Sequence, residues 1–482
     1  MSKNTNKDTS KSNRLQGNMG VGTLVMSVLA FSGPLLTTSG FIAIYFPLMG
    51  AGASGVPTIY IYATAILFFF SVGFSKMGTV MSRPGGFYTY VTDGLGRNMG
   101  LTTAVLLTGG YMSIALFAPP LIAIYTQNVI ENVFHGPHIS WFIIAMVSVL
   151  GMTLLAYRRI DLSAKVLLYA MIFESLAVIV FDVVSFTRGY ANNGGISMFT
   201  PPAVTNAGFG VVLLFAFGNF YGFEATVIYR EECKNPAKTI PRATFTAVIG
   251  IGLFYFFAAW AFLAFYGSHN VAAALSTDAA ISFMKILGYL SKIFADVVSV
   301  VAITSCCASM LSIQNVASRY LFSLGTDHVF PSALGKVHKK HHSPYVAATT
   351  VGIVWAVMLT IFVIVGKDPS YLYQLFAGTG EFLITVGIFL ASLAVVVYFR
   401  KNKQLHFSTW TTLIAPALAA IGLAFVLLMA VLNFTALTNA PGLVSWIFFT
   451  VIVLIAIASY LYSIYLQKRK PEVYERIGRQ NV

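Results

Sequence analysis

The sequence predicts an all-α integral membrane protein with about twelve transmembrane helices. Of its 482 residues, 57% are hydrophobic and only 10% are charged, whereas soluble domains carry about 25% charged residues. The apolar residues come in runs of about 20 or more, the length that an α-helix needs to cross the hydrocarbon core of a bilayer. The basic residues lie almost entirely between alternate runs. These three observations argue against an ordinary soluble fold.

Glycine, proline and charged residues bound the apolar runs and divide the chain into twelve predicted spans. The polar segment 1–20 lacks the shape of a secretory signal peptide, so we interpret the first run as a span and not as a cleaved leader. The run over 140–157 is short, and the run over 287–324 is long enough to extend beyond the membrane. The predicted spans are 21–49, 57–81, 100–130, 140–157, 162–187, 207–229, 243–267, 287–324, 345–366, 371–399, 409–434 and 443–467.

Lysine and arginine predict the orientation. If the N-terminus is cytoplasmic, 26 of the 30 basic residues fall in cytoplasmic segments, as the positive-inside rule requires. We therefore predict a multi-pass protein of the cell membrane with cytoplasmic tails at 1–20 and 468–482. The net charge of +14 is a consequence of this topology, so nucleic acid is not an expected partner. The four basic residues on the outer side are Arg188, Lys285, Lys292 and Lys367.

Two of the predicted helices are interrupted near their middle. Residues 30–34 read Ala-Phe-Ser-Gly-Pro in the first, and residues 216–222 read Ala-Phe-Gly-Asn-Phe-Tyr-Gly in the sixth. Helices one and six are five apart, the offset expected if helices 1–5 and 6–10 form an inverted repeat. Matching breaks in two such halves indicate a substrate site near the membrane midplane. Simple kinks are the alternative, because glycine and proline also recur in membrane helices for packing reasons.

Three loops carry motifs that identify a family. Residues 83–91 read Arg-Pro-Gly-Gly-Phe-Tyr-Thr-Tyr-Val, residues 222–242 contain Gly-Phe-Glu, then Glu-Glu-Cys-Lys-Asn-Pro and Ile-Pro-Arg, and residues 318–327 read Ser-Arg-Tyr-Leu-Phe-Ser-Leu-Gly-Thr-Asp. In this order, and at these positions relative to the spans, they resemble three segments of the amino acid–polyamine–organocation superfamily of permeases. Those segments are Pro-x-Gly-Gly-x-Tyr, Gly-Phe-Glu with Glu-x-x-Asn-Pro-x-x-x-Ile-Pro-Arg, and Ser-Arg-x-x-x-x-x-Gly-x-Asp. The resemblance covers about residues 18–400.

The resemblance implies the leucine-transporter type of fold. Ten core helices over 21–400 would form a 5+5 inverted repeat, with repeats at about 21–187 and 207–400, followed by two peripheral helices over 401–467. It also implies alternating-access transport of amino acids, with polyamines, other organic cations or exchange as alternatives. We expect a secondary permease and not an enzyme. No cofactor or metal is expected, because the sequence shows neither a phosphate-binding loop nor a convergent set of metal ligands.

The predicted substrate site lies at the two breaks. Unwound backbone inside a membrane is tolerated only where it faces a cavity. The helix that starts after the first break offers N–H donors and a positive dipole end to a substrate carboxylate, and carbonyls at the second break would accept from an ammonium. Each aromatic residue nearby is also consistent with core packing. The predicted substrate-binding residues are Phe31, Ser32, Gly33, Pro34, Phe217, Gly218, Asn219, Phe220 and Tyr221.

Carboxylates inside the spans are the candidates for coupling, because ionisable residues deep in a membrane indicate function. Glu174 stands where many such permeases carry a lysine in helix five, and we expect it to carry the coupling proton, with a neutral, hydrogen-bonded glutamate as the alternative. Glu224 and Glu381 are predicted to act in gating. Sodium is the alternative coupling ion, with Ser309 and Ser312 as candidate ligands.

Overall fold

The computed structural model describes residues 20–81, 86–158, 164–189, 197–200, 206, 208–223, 226, 233 and 235–478. In these ranges the chain is helical apart from turns and short connections, so the all-α prediction is confirmed. A π-helical stretch over Thr37–Ile42 joins the second and third helices. The helices are α1 (Val21–Ser32), α2 (Pro34–Leu36), α3 (Ala43–Met49), α4 (Val56–Val80), α5 (Gly86–Leu95), α6 (Arg97–Ala115), α7 (Ala118–Asn132), α8 (Trp141–Arg158), α9 (Ala164–Arg188), α10 (Phe209–Gly218), α11 (Pro236–Tyr266), α12 (Val271–Gly288), α13 (Lys292–Thr326), α14 (Tyr345–Ile364), α15 (Pro369–Lys401), α16 (Ala415–Leu432), α17 (Phe434–Thr438), α18 (Gly442–Arg469) and α19 (Pro471–Arg476).

Ten helical stretches in the described ranges are long and apolar enough to cross a membrane, and the bent helix α12 would raise the number to 11. The protein is therefore a multi-pass membrane protein, while the count of twelve and the 5+5 arrangement stay predictions. One stretch, Pro34–Val80, takes in parts of two predicted spans, 21–49 and 57–81, and the predicted span 207–229 contributes none. The 10 residues of α10 extend only about 15 Å at 1.5 Å per residue, half the thickness of the hydrocarbon core.

The outer surface of the bundle is apolar. Leu150 on α8, Ile353 on α14 and Leu454 on α18 are each more than half exposed. In water, a continuous apolar surface of this kind would drive association, whereas lipid tails solvate it. α18 is the extreme case, with only 11% of its most apolar stretch buried, while the peripheral position of the last two helices stays a prediction.

Glycines let α15 approach its neighbours closely. A Cβ on Gly380 would lie 2.6 Å from the backbone nitrogen of Ile114 on α6, and one on Gly378 would lie 2.2 Å from the carbonyl oxygen of Leu437 on α17. Any larger residue at either position would force the helices apart. This close packing fixes Glu381, the next residue after Gly380, at the centre of the bundle.

The C-terminal segment folds back against α5 and the end of α13. Ile477 is buried in an apolar cluster with Tyr88 and Leu324, and the N–H of Gly478 donates to the hydroxyl of Tyr88 at 2.6 Å. The same hydroxyl bonds the side chain of Asp327, and burial raises the pKa of Asp327 to about 6. Residues of two of the family motifs, those at 83–91 and 318–327, thus hold the tail in place.

Candidate functional site

The first helix break lies at Gly33, between α1 and α2. Gly33 has φ 53° and ψ 77°, in the left-handed region that favours glycine. Pro34 begins α2, where its missing N–H costs no helical hydrogen bond. A Cβ on Gly33 would lie 3.2 Å from Oγ of Ser309, so α13 passes close to the break.

Side chains bond the carbonyl of Ser32, which the break removes from the helical ladder. Oγ1 of Thr37 donates to it at 2.7 Å, and the hydroxyl of Tyr255 on α11 donates at 3.3 Å. The hydroxyls of Ser32 and Tyr255 are also 3.1 Å apart. Because an unpaired carbonyl in apolar surroundings is costly, these contacts stabilise the broken conformation.

Glu174 of α9 lies at the start of α2. Its Oε2 accepts from the N–H of Leu35 at 3.4 Å and from the hydroxyl of Ser305 at 3.0 Å. The first N–H groups of a helix have no partner within the helix and form the positive end of its dipole. A carboxylate of the protein itself therefore occupies the place where the sequence analysis expects the carboxylate of the substrate.

The second break follows α10, which ends at Gly218. Residues 219–223 continue as tight turns, with the N–H of Asn219 bonded to the carbonyl of Ala216 at 3.2 Å and the N–H of Tyr221 bonded to that of Gly218 at 3.1 Å. Gly222 has a φ of 103°, in the left-handed range. This segment continues without regular α-helical bonding.

The side chain of Asn219 is held by two tyrosines. Its Nδ2 donates to the hydroxyl of Tyr60 on α4 at 2.6 Å and to that of Tyr45 on α3 at 3.2 Å. The hydroxyl of Tyr45 in turn lies 3.2 Å from the carbonyl of Phe215. Both donors of the amide are thus used by the protein, and Asn219 fixes the second break to α3 and α4.

Glu381 of α15 faces the second break and is 2% exposed. An ideal Cβ on Gly218 would lie 1.7 Å from its Oε1, so the carboxylate rests against bare backbone. Tyr221 contributes a side-chain hydrogen bond, and Oε2 has no hydrogen-bond partner among the described residues. A buried carboxylate with an unused oxygen is uncommon, because buried polar atoms are normally paired.

A small cavity lies between the two breaks. Its volume is about 40 Å³, whereas ligand pockets measure about 300–1,000 Å³, so a substrate requires the helices to move apart. The cavity is lined by Ser32, Leu36, Thr37, Phe41, Tyr111, Ile114, Phe117, Gly218, Asn219, Tyr221, Ser309, Ile313 and Glu381.

Three aromatic rings separate this cavity from a larger vestibule. The ring of Phe41 lies 5.0 Å from that of Phe117 and 5.6 Å from that of Tyr373, and the hydroxyl of Tyr373 bonds the carbonyl of Gly40. Beyond Tyr373 the vestibule, between α3, α7, α12 and α15, has a volume of about 380 Å³. The three rings, which we call the aromatic gate, close the cavity on that side.

The structure gathers about half of the predicted site residues around the cavity. Ser32, Gly218, Asn219, Tyr221 and Glu381 line it, together with Ser309. Phe217 and Phe220 are fully buried in the core instead. Gly33 and Pro34 form the first break, and Glu174 accepts a hydrogen bond from the N–H of Leu35, the residue after Pro34. The side chain of Phe31, and all of Glu224, lie outside the described residues.

Some cavity residues lie outside the predicted site, in the helical stretch after the first break, in α6 and just beyond its end. Thr37, Phe41, Tyr111 and Phe117 line the cavity. Thr37 and Phe41 are four apart, one helical turn, and lie one and two turns after Gly33, so this spacing was the available signal. Nothing in the sequence distinguishes Tyr111 and Phe117 from the other aromatic residues of the spans.

The serines of α13 differ in their surroundings. Ser309 lines the cavity and Ser305 bonds Glu174, whereas Ser312 is half-buried and does not reach the lining. In the described part of the chain, no three His, Cys, Asp or Glu side chains converge as a metal ion would require.

Comparison with known proteins gives the family. The family model described as amino acid permease matches residues 21–458. The branched-chain amino acid permease BcaP of Lactococcus lactis is 25% identical over 84% of this chain and 85% of its own length. The lysine-specific permease LysP of the same organism is 26% identical over 77% and 75%, and the low-affinity putrescine importer PlaP of Escherichia coli is 26% identical over 73% and 76%. The chain is a permease of the amino acid permease family, within the amino acid–polyamine–organocation superfamily.

Proposed function

We propose that this protein is a secondary active transporter of amino acids that works by alternating access and is coupled to protons. The observation that carries the proposal is the small cavity at which both helix breaks meet. Ser32 from the first break and Gly218 from the second line the same space, although 186 residues separate them in the sequence. The names of the relatives, two amino acid permeases and a putrescine importer, support this class of substrate.

Substrate access requires the cavity to open on one side at a time. The aromatic gate lies between the cavity and the vestibule, so its opening would admit substrate from the vestibule side. On the positive-inside rule, the vestibule faces outward, because the only basic residue at the start of α15 on that side is Lys367, while Lys401 and Arg400 lie at the other end of the same helix. We infer that the termini are cytoplasmic and that the membrane is the cell membrane.

The proposed proton coupling rests on competition between Glu174 and a substrate carboxylate for one N–H donor at the start of α2. Glu174 accepts from the N–H of Leu35, and a substrate carboxylate would need the same donor, since Pro34 has no N–H to offer. A proton on Glu174 removes its negative charge and weakens this bond. Loading of a proton would thus release Leu35 for the substrate, so that the two ligands bind together.

Uptake into proteoliposomes tests the proposal. We expect purified protein to accumulate at least one amino acid against its concentration gradient when the lumen is alkaline relative to the outside. A sodium gradient alone should give no accumulation. Failure to transport any of the twenty amino acids, under either gradient, would contradict the proposed function.

Polyamine transport is the second candidate function. The observation that favours it is the carboxylate of Glu381 in the cavity, since a polyamine needs acidic partners and no carboxylate-binding helix end. Uptake of putrescine in the absence of any amino acid transport would select this candidate.

A further inference from the structure

The ionisable group in the described lining of the cavity is acidic. Among the described residues that line it, Glu381 is the only acidic or basic side chain, and none is Lys, Arg or His. A buried carboxylate without a counter-charge is costly, and in this form of the protein no described residue pairs Oε2 of Glu381. The cavity therefore offers a carboxyl group with an unused oxygen to whatever enters it.

The position of the carboxylate favours a ligand as its partner. Oε1 points at the bare backbone of Gly218, where the second break exposes the end of α10 to the cavity. Because residue 218 has no side chain, the carboxyl group lies directly against the backbone of the break. A ligand seated between the breaks would meet Glu381 directly.

The aromatic lining adds a second attraction for a cation. Phe41, Tyr111, Phe117 and Tyr221 all border the same cavity as Glu381. The faces of aromatic rings attract an ammonium group, more strongly when water is excluded. No residue in the described part of the lining carries the positive charge that an anionic ligand would need.

We propose that Glu381 binds a cationic nitrogen of the substrate and thereby selects organic amines of net positive charge. A zwitterionic substrate would bring its own carboxylate, so that ionisation of Glu381 beside it would leave the complex with a net negative charge. A substrate of charge +1 leaves the buried complex neutral. The inference rests on the proposed transport function and specifies its substrate class. A cationic amino acid and a diamine both supply the required ammonium.

The wild-type protein tests this selectivity through competition for uptake into proteoliposomes. The competitors are L-lysine, putrescine and L-2-aminoheptanoate, which replaces the terminal ammonium of lysine by a methyl group of similar size. We expect lysine or putrescine to compete at least about ten-fold better than L-2-aminoheptanoate, the difference given by one hydrogen bond to a charged group. Lysine above putrescine would identify a cationic amino acid, and the reverse order a diamine.

Substitution of Glu381 separates its role from general stability. Glu381→Gln should reduce the preference for the cation to less than two-fold, whereas Glu381→Asp, which keeps the charge, should retain it at lower affinity. Glu131→Gln, on the surface, is the matched control and should behave as wild type. Equal or better competition by L-2-aminoheptanoate in the wild type would overturn the inference while leaving amino acid transport intact. Absence of any uptake would instead count against the proposed function.

A preference for the cation that survives in Glu381→Gln would also overturn the inference. In that case Glu381 would not be the cation-binding residue, and its role would be the gating role that the sequence suggested.

Discussion

The carboxylate of Glu381 fills the space that a side chain at residue 218 would need, since an ideal Cβ on Gly218 would lie 1.7 Å from its Oε1. The two residues are 163 positions apart in the sequence and belong to different helices. Their contact joins the second helix break to α15, so that movement of one requires movement of the other. The absence of a side chain at residue 218 is therefore necessary for the observed position of the carboxylate.

Gly218→Ala should abolish most transport without preventing folding. The new methyl group would displace the side chain of Glu381, and we expect uptake into proteoliposomes to fall at least about ten-fold, which corresponds to 1.4 kcal/mol. Gly250→Ala is the matched control, because Gly250 is also helical and a Cβ there has open space around it. Transport by Gly218→Ala at the wild-type rate would place the substrate elsewhere.

Glu174→Gln should uncouple transport from the proton gradient. The amide resembles the protonated carboxyl in shape and, like it, is uncharged. The N–H of Leu35 therefore stays available to the substrate, and exchange across the membrane should persist. Accumulation driven by a pH gradient should be lost. Proteoliposomes with pH and sodium gradients imposed separately give the measurement. Full pH-driven accumulation by Glu174→Gln would remove this residue from the mechanism, and dependence on sodium would favour the alternative ion.

The docked C-terminal segment should make stability depend on pH through Asp327. Burial raises the pKa of Asp327 to about 6 from 3.8, so between these values the folded protein holds a proton that the unfolded chain has lost. Stability should therefore fall as pH rises from about 4 to 6. Asp327→Asn, measured by thermal unfolding in detergent, should show a smaller decrease over this range. An unchanged pH dependence in the variant would contradict the assignment.

Tyr88→Phe tests the same contact from the other side. The change leaves the N–H of Gly478 without its acceptor and should cost about 1–2 kcal/mol. It should also expose the last residues to proteolysis. Tyr62→Phe is the control, since Tyr62 lies on the outer surface of α4 and is 44% exposed. Equal protease sensitivity of the two variants would show that this hydrogen bond does not hold the tail.

Labelling of single cysteines tests the topology. In a background with Cys233, Cys306 and Cys307 replaced, a cysteine at Lys339 should resist a membrane-impermeant reagent in intact cells and react after permeabilisation. A cysteine at Lys367, at the vestibule end of the bundle, should react in intact cells. The reverse pattern would contradict the predicted orientation of the chain.

Local sequence was sufficient for the first helix break and for the membrane class. The dipeptide Gly33-Pro34 combines a residue suited to the left-handed conformation with one that cannot continue the preceding helix, so its effect does not depend on distant residues. Apolar runs of spanning length predict membrane helices for the same reason, because lipid requires every backbone group to be bonded within its own helix. The family motifs added the identity of the fold, which these local rules do not contain.

Only the tertiary structure decided which residues meet at the cavity. Glu174 lies 139 positions from Leu35, whose N–H it bonds. Asn219 lies 159 positions from Tyr60, whose hydroxyl accepts from its amide. Helical periodicity assigns a residue to a face of its own helix, but it does not give the neighbour that this face meets. For that reason Asn219 and Phe220 were both predicted to bind substrate, whereas in the folded protein Asn219 lines the cavity and Phe220 packs in the core. The side of α6 that borders the cavity was determined in the same way, by close packing of α15 against α6 at Gly380.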